Sequence, residues 1–138
     1  MELVIFQWWH PDVRPDHQRD AYWDDMIHKE DLRIAYDFKF PFSIFKVMGE
    51  QGSFIIIKHL NCSLRVKKEC LKYIKDEGFY IGDKVELISK DCSNIVKKGI
   101  IHTLTYHYQQ ERLYYYLTDL DNKKLKKRYL SDDLQKAS

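Results

Sequence analysis

The chain has 138 residues, 44% hydrophobic and 32% charged, which is enough apolar content for one compact core or two small ones and too much for a disordered tail. Lys and Arg number 23 against 21 Asp and Glu, so the formal net charge of +2 demands no polyanionic partner. No window approaches the roughly 18 consecutive apolar residues of a membrane-spanning helix, and the start at Met1 has neither a basic n-region nor a small-residue cleavage site, so the expectation is a soluble, cytoplasmic protein.

The total hides an asymmetry. Residues 1–37 carry four Lys and Arg against nine Asp and Glu, a net of −5, while residues 38–138 carry nineteen against twelve, a net of +7. The two parts are electrically complementary, either because they dock on one another or because the acidic part meets a basic partner.

In chain order, Leu3-Val4-Ile5-Phe6-Gln7-Trp8-Trp9 is a β-branched and aromatic run of strand length that stops at Pro11. Pro15-Asp16 offers a helix start, and Tyr22, Trp23, Met26 and Ile27 fall on one stripe, so an amphipathic helix is expected over about 17–30. Ile44 to Met48 and Phe54 to Ile57 flank Gly49-Glu50-Gln51-Gly52, the pattern of a β-hairpin. Asn61 or Ser63 then opens a second expected helix, with Val66, Cys70, Tyr73 and Ile74 as its core stripe and Gly78 as its stop; Arg65, Lys68, Lys72 and Lys75 line its opposite face.

The last sixty residues have no helical period. Gly82 to Ile88, Gly99 to Tyr108, Leu113 to Leu117 and Lys124 to Leu130 read as four strands joined by short polar loops, which argues for a small antiparallel barrel. The expected fold class is therefore α+β, with an N-terminal strand-helix-hairpin-helix segment over 1–78 followed by the barrel over 79–138. Gly82-Asp83-Lys84-Val85 entering one strand, Lys98-Gly99-Ile100-Ile101 opening the next, and Tyr129-Leu130-Ser131-Asp132-Asp133-Leu134 closing the set resemble the SH3-like barrels of the KOW and Tudor type. The resemblance covers residues 80–134, and it implies binding of nucleic acid, of peptides or of other parts of the same protein. In size and style the whole chain resembles uncharacterised bacterial single-domain proteins.

Two surfaces of opposite sign compete as binding sites. The first is the acidic N-terminal segment, where Asp20, Asp24 and Asp25 stand beside the aromatic anchors Trp8, Trp9 and Trp23; hydrophobic anchors in a charged rim suit a protein partner, in the manner of an inhibitor or immunity protein. The second is the barrel, where Tyr106, Tyr108, Tyr114 and Tyr116 present rings beside Lys124, Lys126, Lys127 and Arg128, so that bases stack while cations meet phosphates. Strict alternation puts Ile100, His102, Leu104, Tyr106 and Tyr108 on one face of their strand, and Tyr114 with Tyr116 on one face of the next. An aromatic cage for a cationic side chain, with Asp119 or Asp121 as its anion, is opposed by the positive charge around it.

Catalysis and cofactors fare less well. His10, Asp12, Asp16, His17, Asp20, Asp24, Asp25 and His28 crowd nineteen residues, and Asp20, Asp24 and His28 share one face of the expected N-terminal helix, which makes a metal-dependent hydrolase a further alternative; the row is two to three ligands short of a site, and no familiar metal spacing such as His-Glu-x-x-His occurs. The cysteines Cys62, Cys70 and Cys92 form no C-x-x-C pair, and no Gly-x-Ser-x-Gly or phosphate-cradling glycine loop is present. The expectation is a non-enzymatic module that binds a protein partner, with nucleic-acid binding as the alternative, and no catalytic residue, metal or cofactor.

Overall fold

The computed structural model describes residues 1–7, 25–37, 43–88 and 97–137. They form two compact units, Met1–Lys75 and Asp76–Ser138, each built on its own five-stranded antiparallel sheet. Among the described residues the only α-helix is α1 (Leu32–Asp37), and none of their helices is long and apolar enough to cross a membrane.

The first unit comprises β1 (Leu3–Phe6), β2 (Ile44–Gln51), β3 (Phe54–His59), β4 (Cys62–Val66) and β5 (Leu71–Ile74), in the order β4-β3-β2-β1-β5. Strand β1 pairs on both sides, Val4 with Phe45 of β2 and with Tyr73 of β5. All four of its side chains are buried, which is why an uninterrupted apolar run rather than an alternating one makes this strand. On one face Val4, Phe6, Phe45, Ile57, Leu64 and Val66 pack with Met26, Ile27 and Ala35. Strands β2 and β3 form the expected hairpin, but its tip is the pair Gly52-Ser53, with Gly52 at φ +60, where a side chain would be strained. Gly49, Glu50 and Gln51 belong to β2, which is bulged between Val47 and Gly49.

The expected α+β class is corrected to a mostly β structure. Residues 61–78 are not a helix: they are β4, a 3-10 turn at Lys68–Cys70 and β5. Val66, Cys70, Tyr73 and Ile74 satisfy helical spacing, yet Leu64 and Val66 alternate as a strand does, and the turn resets the phase between the two strands. Gly78 ends no helix; it sits at φ +99 in a turn where its N–H donates to Asp76 Oδ1 at 2.8 Å. Arg65, Lys68, Lys72 and Lys75 therefore share no helix face. Of the helix expected over 17–30, residues 17–24 lie outside the described residues. From Asp25 onward the chain instead runs along β4, where Ile27 bridges Val66, and then through a 3-10 turn at Lys29–Asp31 into α1.

The second unit comprises β6 (Lys84–Leu87), β7 (Lys98–His107), β8 (Arg112–Thr118), β9 (Lys124–Tyr129), a 3-10 turn at Ser131–Asp133 and β10 (Leu134–Lys136), in the order β10-β6-β7-β8-β9. Its core gathers Phe79, Tyr80, Val85, Ile101, Leu113, Tyr115, Leu117 and Leu134. Strand β8 alternates cleanly, with Leu113, Tyr115 and Leu117 buried and Tyr114, Tyr116 and Thr118 half-exposed. Strand β7 does not. A bulge between Ile101 and Thr103 shifts its register, so that Ile101 and Leu104 are both buried, and the strict alternation expected along this strand breaks at His102. Gly99 is required by close approach: a Cβ there would stand 2.8 Å from the Thr118 carbonyl oxygen of β8.

A carboxylate stitches each unit. Asp31 accepts the Arg65 backbone N–H at 2.8 Å and its Nε–H at 2.8 Å. Glu77 likewise accepts the Leu113 backbone N–H at 2.9 Å and the Arg112 Nε–H at 2.9 Å, with the Ser131 hydroxyl donating at 2.8 Å. Burial pushes the Glu77 carboxyl up, but the bonds from Arg112, Leu113 and Ser131 outweigh it and hold the group below its ordinary range.

Candidate functional site

The outer pleat of β8 carries Tyr114 and Tyr116 because its inner pleat is filled by Leu113, Tyr115 and Leu117. Register sets their neighbours: Thr105 and Thr103 of β7 lie opposite Tyr114 and Tyr116, and Arg128 of β9 lies opposite Tyr116 on the other side. The Arg128 guanidinium carbon is 4.1 Å from the Tyr114 ring centroid, a stacked cation-π contact. His107 meets the same ring edge-on at 5.9 Å, and the Tyr114 hydroxyl donates to Gln110 Oε1 at 2.7 Å, so the ring is held from three sides. His102 lies 6.3 Å from the Tyr116 ring. Burial and then the nearby charge of Lys124 lower the pKa of His102, which favours a neutral imidazole.

The charges beside these rings are unneutralised. Lys98, Arg112 and Lys136 of this unit are paired with Glu86, Glu77 and Asp83. Among the described residues, Lys123, Lys124, Lys126, Lys127 and Arg128 have no carboxylate within 4.0 Å. Strand β9 is also the edge of its sheet, and no described segment hydrogen-bonds to its outer side.

Of the eight residues of the second unit expected to bind nucleic acid, the structure brings Tyr114, Tyr116 and Arg128 together on one face, with Lys124, Lys126 and Lys127 on the same edge strand as Arg128. It places Tyr106 and Tyr108 elsewhere. Tyr106 lies opposite Leu113, on the inward pleat, and packs edge-to-face with Tyr108 at 5.1 Å. The bulge at His102 is the cause, since it moves Tyr106 out of the alternation that sequence spacing implies. Asp119 is tied into the turn before β9, its Oδ1 accepting the N–H groups of Asp121 and Lys123 at 2.8 and 2.9 Å. Thr103, Thr105 and Gln110 were not foreseen as part of this face; the hairpin register of β7 and β8 is the signal that locates them.

Of the protein-binding candidates, Trp8, Trp9, Asp20, Trp23 and Asp24 lie outside the described residues, and Asp25 is exposed. His28 does not extend a helical row of ligands: its Nδ1 accepts the Glu30 N–H at 3.1 Å, and its ring packs on Phe54 at 5.1 Å. Among the described residues no three His, Cys, Asp or Glu side chains are arranged to hold a metal ion. Burial pushes the Cys70 thiol up to about 12, and burial with the charge of Asp31 raises Cys62, so neither is a ready nucleophile. His59 Nδ1 donates to the Ile44 carbonyl at 3.0 Å, a structural bond.

Comparison with known proteins adds a family and no activity. No curated protein and no solved structure matches the chain. The chain belongs to DUF6960, a family of unknown function, whose family model matches residues 4–135.

Proposed function

We propose that this protein is a non-enzymatic binding module whose second unit takes single-stranded nucleic acid across the outer face of β8 and the basic edge strand β9. The observation that carries the reading is the placement of two tyrosine rings on the outer pleat of β8, one of them under Arg128, next to an edge strand and turn whose five cations have no carboxylate within 4.0 Å among the described residues. A base stacks on Tyr116 or on the guanidinium plane of Arg128, itself laid on Tyr114, while the lysines of β9 meet phosphates. The SH3-like resemblance of residues 80–134 belongs to the same proposal. It is supported by the serial order β10-β6-β7-β8-β9 and by the 3-10 turn that precedes the short last strand. The reading of a protein partner on the acidic segment rests on residues of which only Asp25 is described, so the geometry favours the barrel.

The test is fluorescence anisotropy with labelled oligo(dT), oligo(U) and a duplex of equal length, at about 50 and about 200 mM salt. The expected result is micromolar binding of single strands that weakens steeply with salt, with Tyr116→Ala costing about 1–3 kcal/mol. The double variant Lys126→Glu, Lys127→Glu is expected to abolish binding. Absence of binding at low salt, or undiminished binding by the double variant, overturns the proposal. Loss of a captured protein on charge reversal at Asp20 and Asp24 would establish the acidic surface in its place.

A further inference from the structure

The first unit contains a cleft that the nucleic-acid reading does not use. Residues 25–32 lie along the edge of β4, where the Lys67 N–H donates to the Met26 carbonyl at 2.7 Å and the His28 N–H to the Arg65 carbonyl at 2.9 Å. Between this segment and β3 a cleft of about 570 Å³ opens, within the usual range for a small-molecule site. Ile27, Leu32 and Phe54 supply apolar walls, and His28, Lys29 and Lys67 supply polar ones.

The charge balance of the lining is one-sided. Glu30 and Asp31, the acids nearest in sequence, are turned away to Arg65. Lys29 and Lys67 have no carboxylate within 4.0 Å among the described residues, and Asp25 is the one acid in the lining. Because the Glu30 N–H donates to Nδ1 of His28, the ring carries its hydrogen on Nε2, a donor with no partner among the described residues. Two lysines and one imidazole N–H without a carboxylate partner among the described residues therefore line a mostly apolar pocket.

We propose that this cleft binds a small organic anion with an apolar body, such as an aromatic or aliphatic carboxylate or phosphate monoester. Its charge is met by Lys29, Lys67 and His28, and its body rests on Phe54, Leu32 and Ile27. Sequence reading missed the site because Phe54 and Lys67 are separated from residues 25–32 by more than twenty positions and no motif links them.

The experiment uses the full chain and two dyes of similar shape, anilinonaphthalene sulfonate and uncharged phenylnaphthylamine, titrated by fluorescence. The expected result is saturable binding of the sulfonate at one site, tighter than that of the neutral dye. The double variant Lys29→Gln, Lys67→Gln is expected to weaken sulfonate binding about tenfold, the scale of losing two partly screened charge contacts, with the far-UV circular dichroism unchanged. Asp25→Asn, at an exposed position where the fold is not at stake, is expected to tighten it about twofold. No saturable binding, equal affinity for the two dyes, or undiminished sulfonate binding by the lysine variant overturns the proposal. All of these readouts are independent of oligonucleotide binding by the second unit.

Discussion

The two edge strands β4 and β9 end their sheets in opposite ways. An unpaired strand edge invites association with another chain and must be covered or charged. Strand β4 is covered: the segment 26–28 hydrogen-bonds along it, Ile27 bridges Val66, and its one cation, Arg65, is held by Asp31 and Glu30. Strand β9 is charged, with no described segment on its outer side and, among the described residues, no carboxylate within 4.0 Å of its four cations. The difference separates structural charge from available charge. Arg65 is consumed within the fold, and removing it should unsettle the first unit; the cations of β9 make no ion pair among the described residues and touch the second unit only through the rings of Tyr114 and Tyr129, so their charge is left for use outside it or for keeping the edge solitary.

The largest expected effect comes from uncovering β4. Asp31 is buried and receives a charge-assisted bond from the Arg65 backbone N–H, which Asp31→Ala leaves unpaired while the guanidinium turns to water. A loss of about 2 kcal/mol is expected from that one bond, read as a fall in melting temperature and faster hydrogen exchange of the β4 amides. The effect depends on pH. Hydrogen bonding from Arg65 outweighs burial and holds the Asp31 carboxyl below its ordinary value of 3.8. With the folded pKa depressed, the stabilisation is complete above about pH 3.8 and is lost as pH falls through the lower folded value. Asp31→Asn should accordingly remove that part of the acid-induced loss, and an unchanged acid profile would show that Asp31 does not anchor the edge.

A smaller effect on stability, and a larger one on association, is expected from neutralising β9. Replacing Lys124, Lys126 and Lys127 together by Gln, with Arg128 kept on the Tyr114 ring, should leave the folding free energy within about 0.5 kcal/mol of the parent, because no ion pair among the described residues is broken. The same variant should self-associate at concentrations where the parent does not, as judged by sedimentation velocity. A marked loss of stability would mean that these cations are bonded within the fold after all and would erase the contrast with β4.

Much of the strand framework is legible in the amino-acid order, and the departures have physical causes. Leu3 to Phe6, the pair 44–51 and 54–59, and the strands at 84–87, 98–107, 112–118 and 124–129 all show in alternation or in β-branched content. Strand β10 escapes notice because three residues following the turn at Ser131–Asp133 carry no period of their own. Residues 61–78 mislead because a 3-10 turn between two short strands spaces Val66, Cys70 and Tyr73 as a helix would. At the candidate interface, Tyr114 and Tyr116 can be placed from β8 alone, whereas Tyr106 cannot, because a single bulged residue on β7 exchanges the two faces. The carboxylates that clamp Arg65 and Arg112 lie 34 and 35 residues away in sequence, and no local pattern announces them.

The smallest expected effect concerns the tyrosine between the two on β8. Tyr115 is fully buried, its ring edge-to-face with Phe79 at 5.7 Å, and its hydroxyl has no hydrogen-bond partner among the described residues. Burial, with the charges of Glu77 and Asp76, pushes its pKa up, so the group stays protonated throughout the working range of pH. A buried hydroxyl without a partner is a desolvation cost with no return, and Tyr115→Phe keeps the ring and its packing while removing that cost. The variant is expected to be neutral or more stable by up to about 1 kcal/mol in urea denaturation, with oligonucleotide binding unchanged because the ring faces away from the Tyr114 and Tyr116 pleat. Destabilisation by more than that would reveal a bonded hydroxyl inside the second unit, and weakened binding would show that the two pleats of β8 are not separate in function as they are in position.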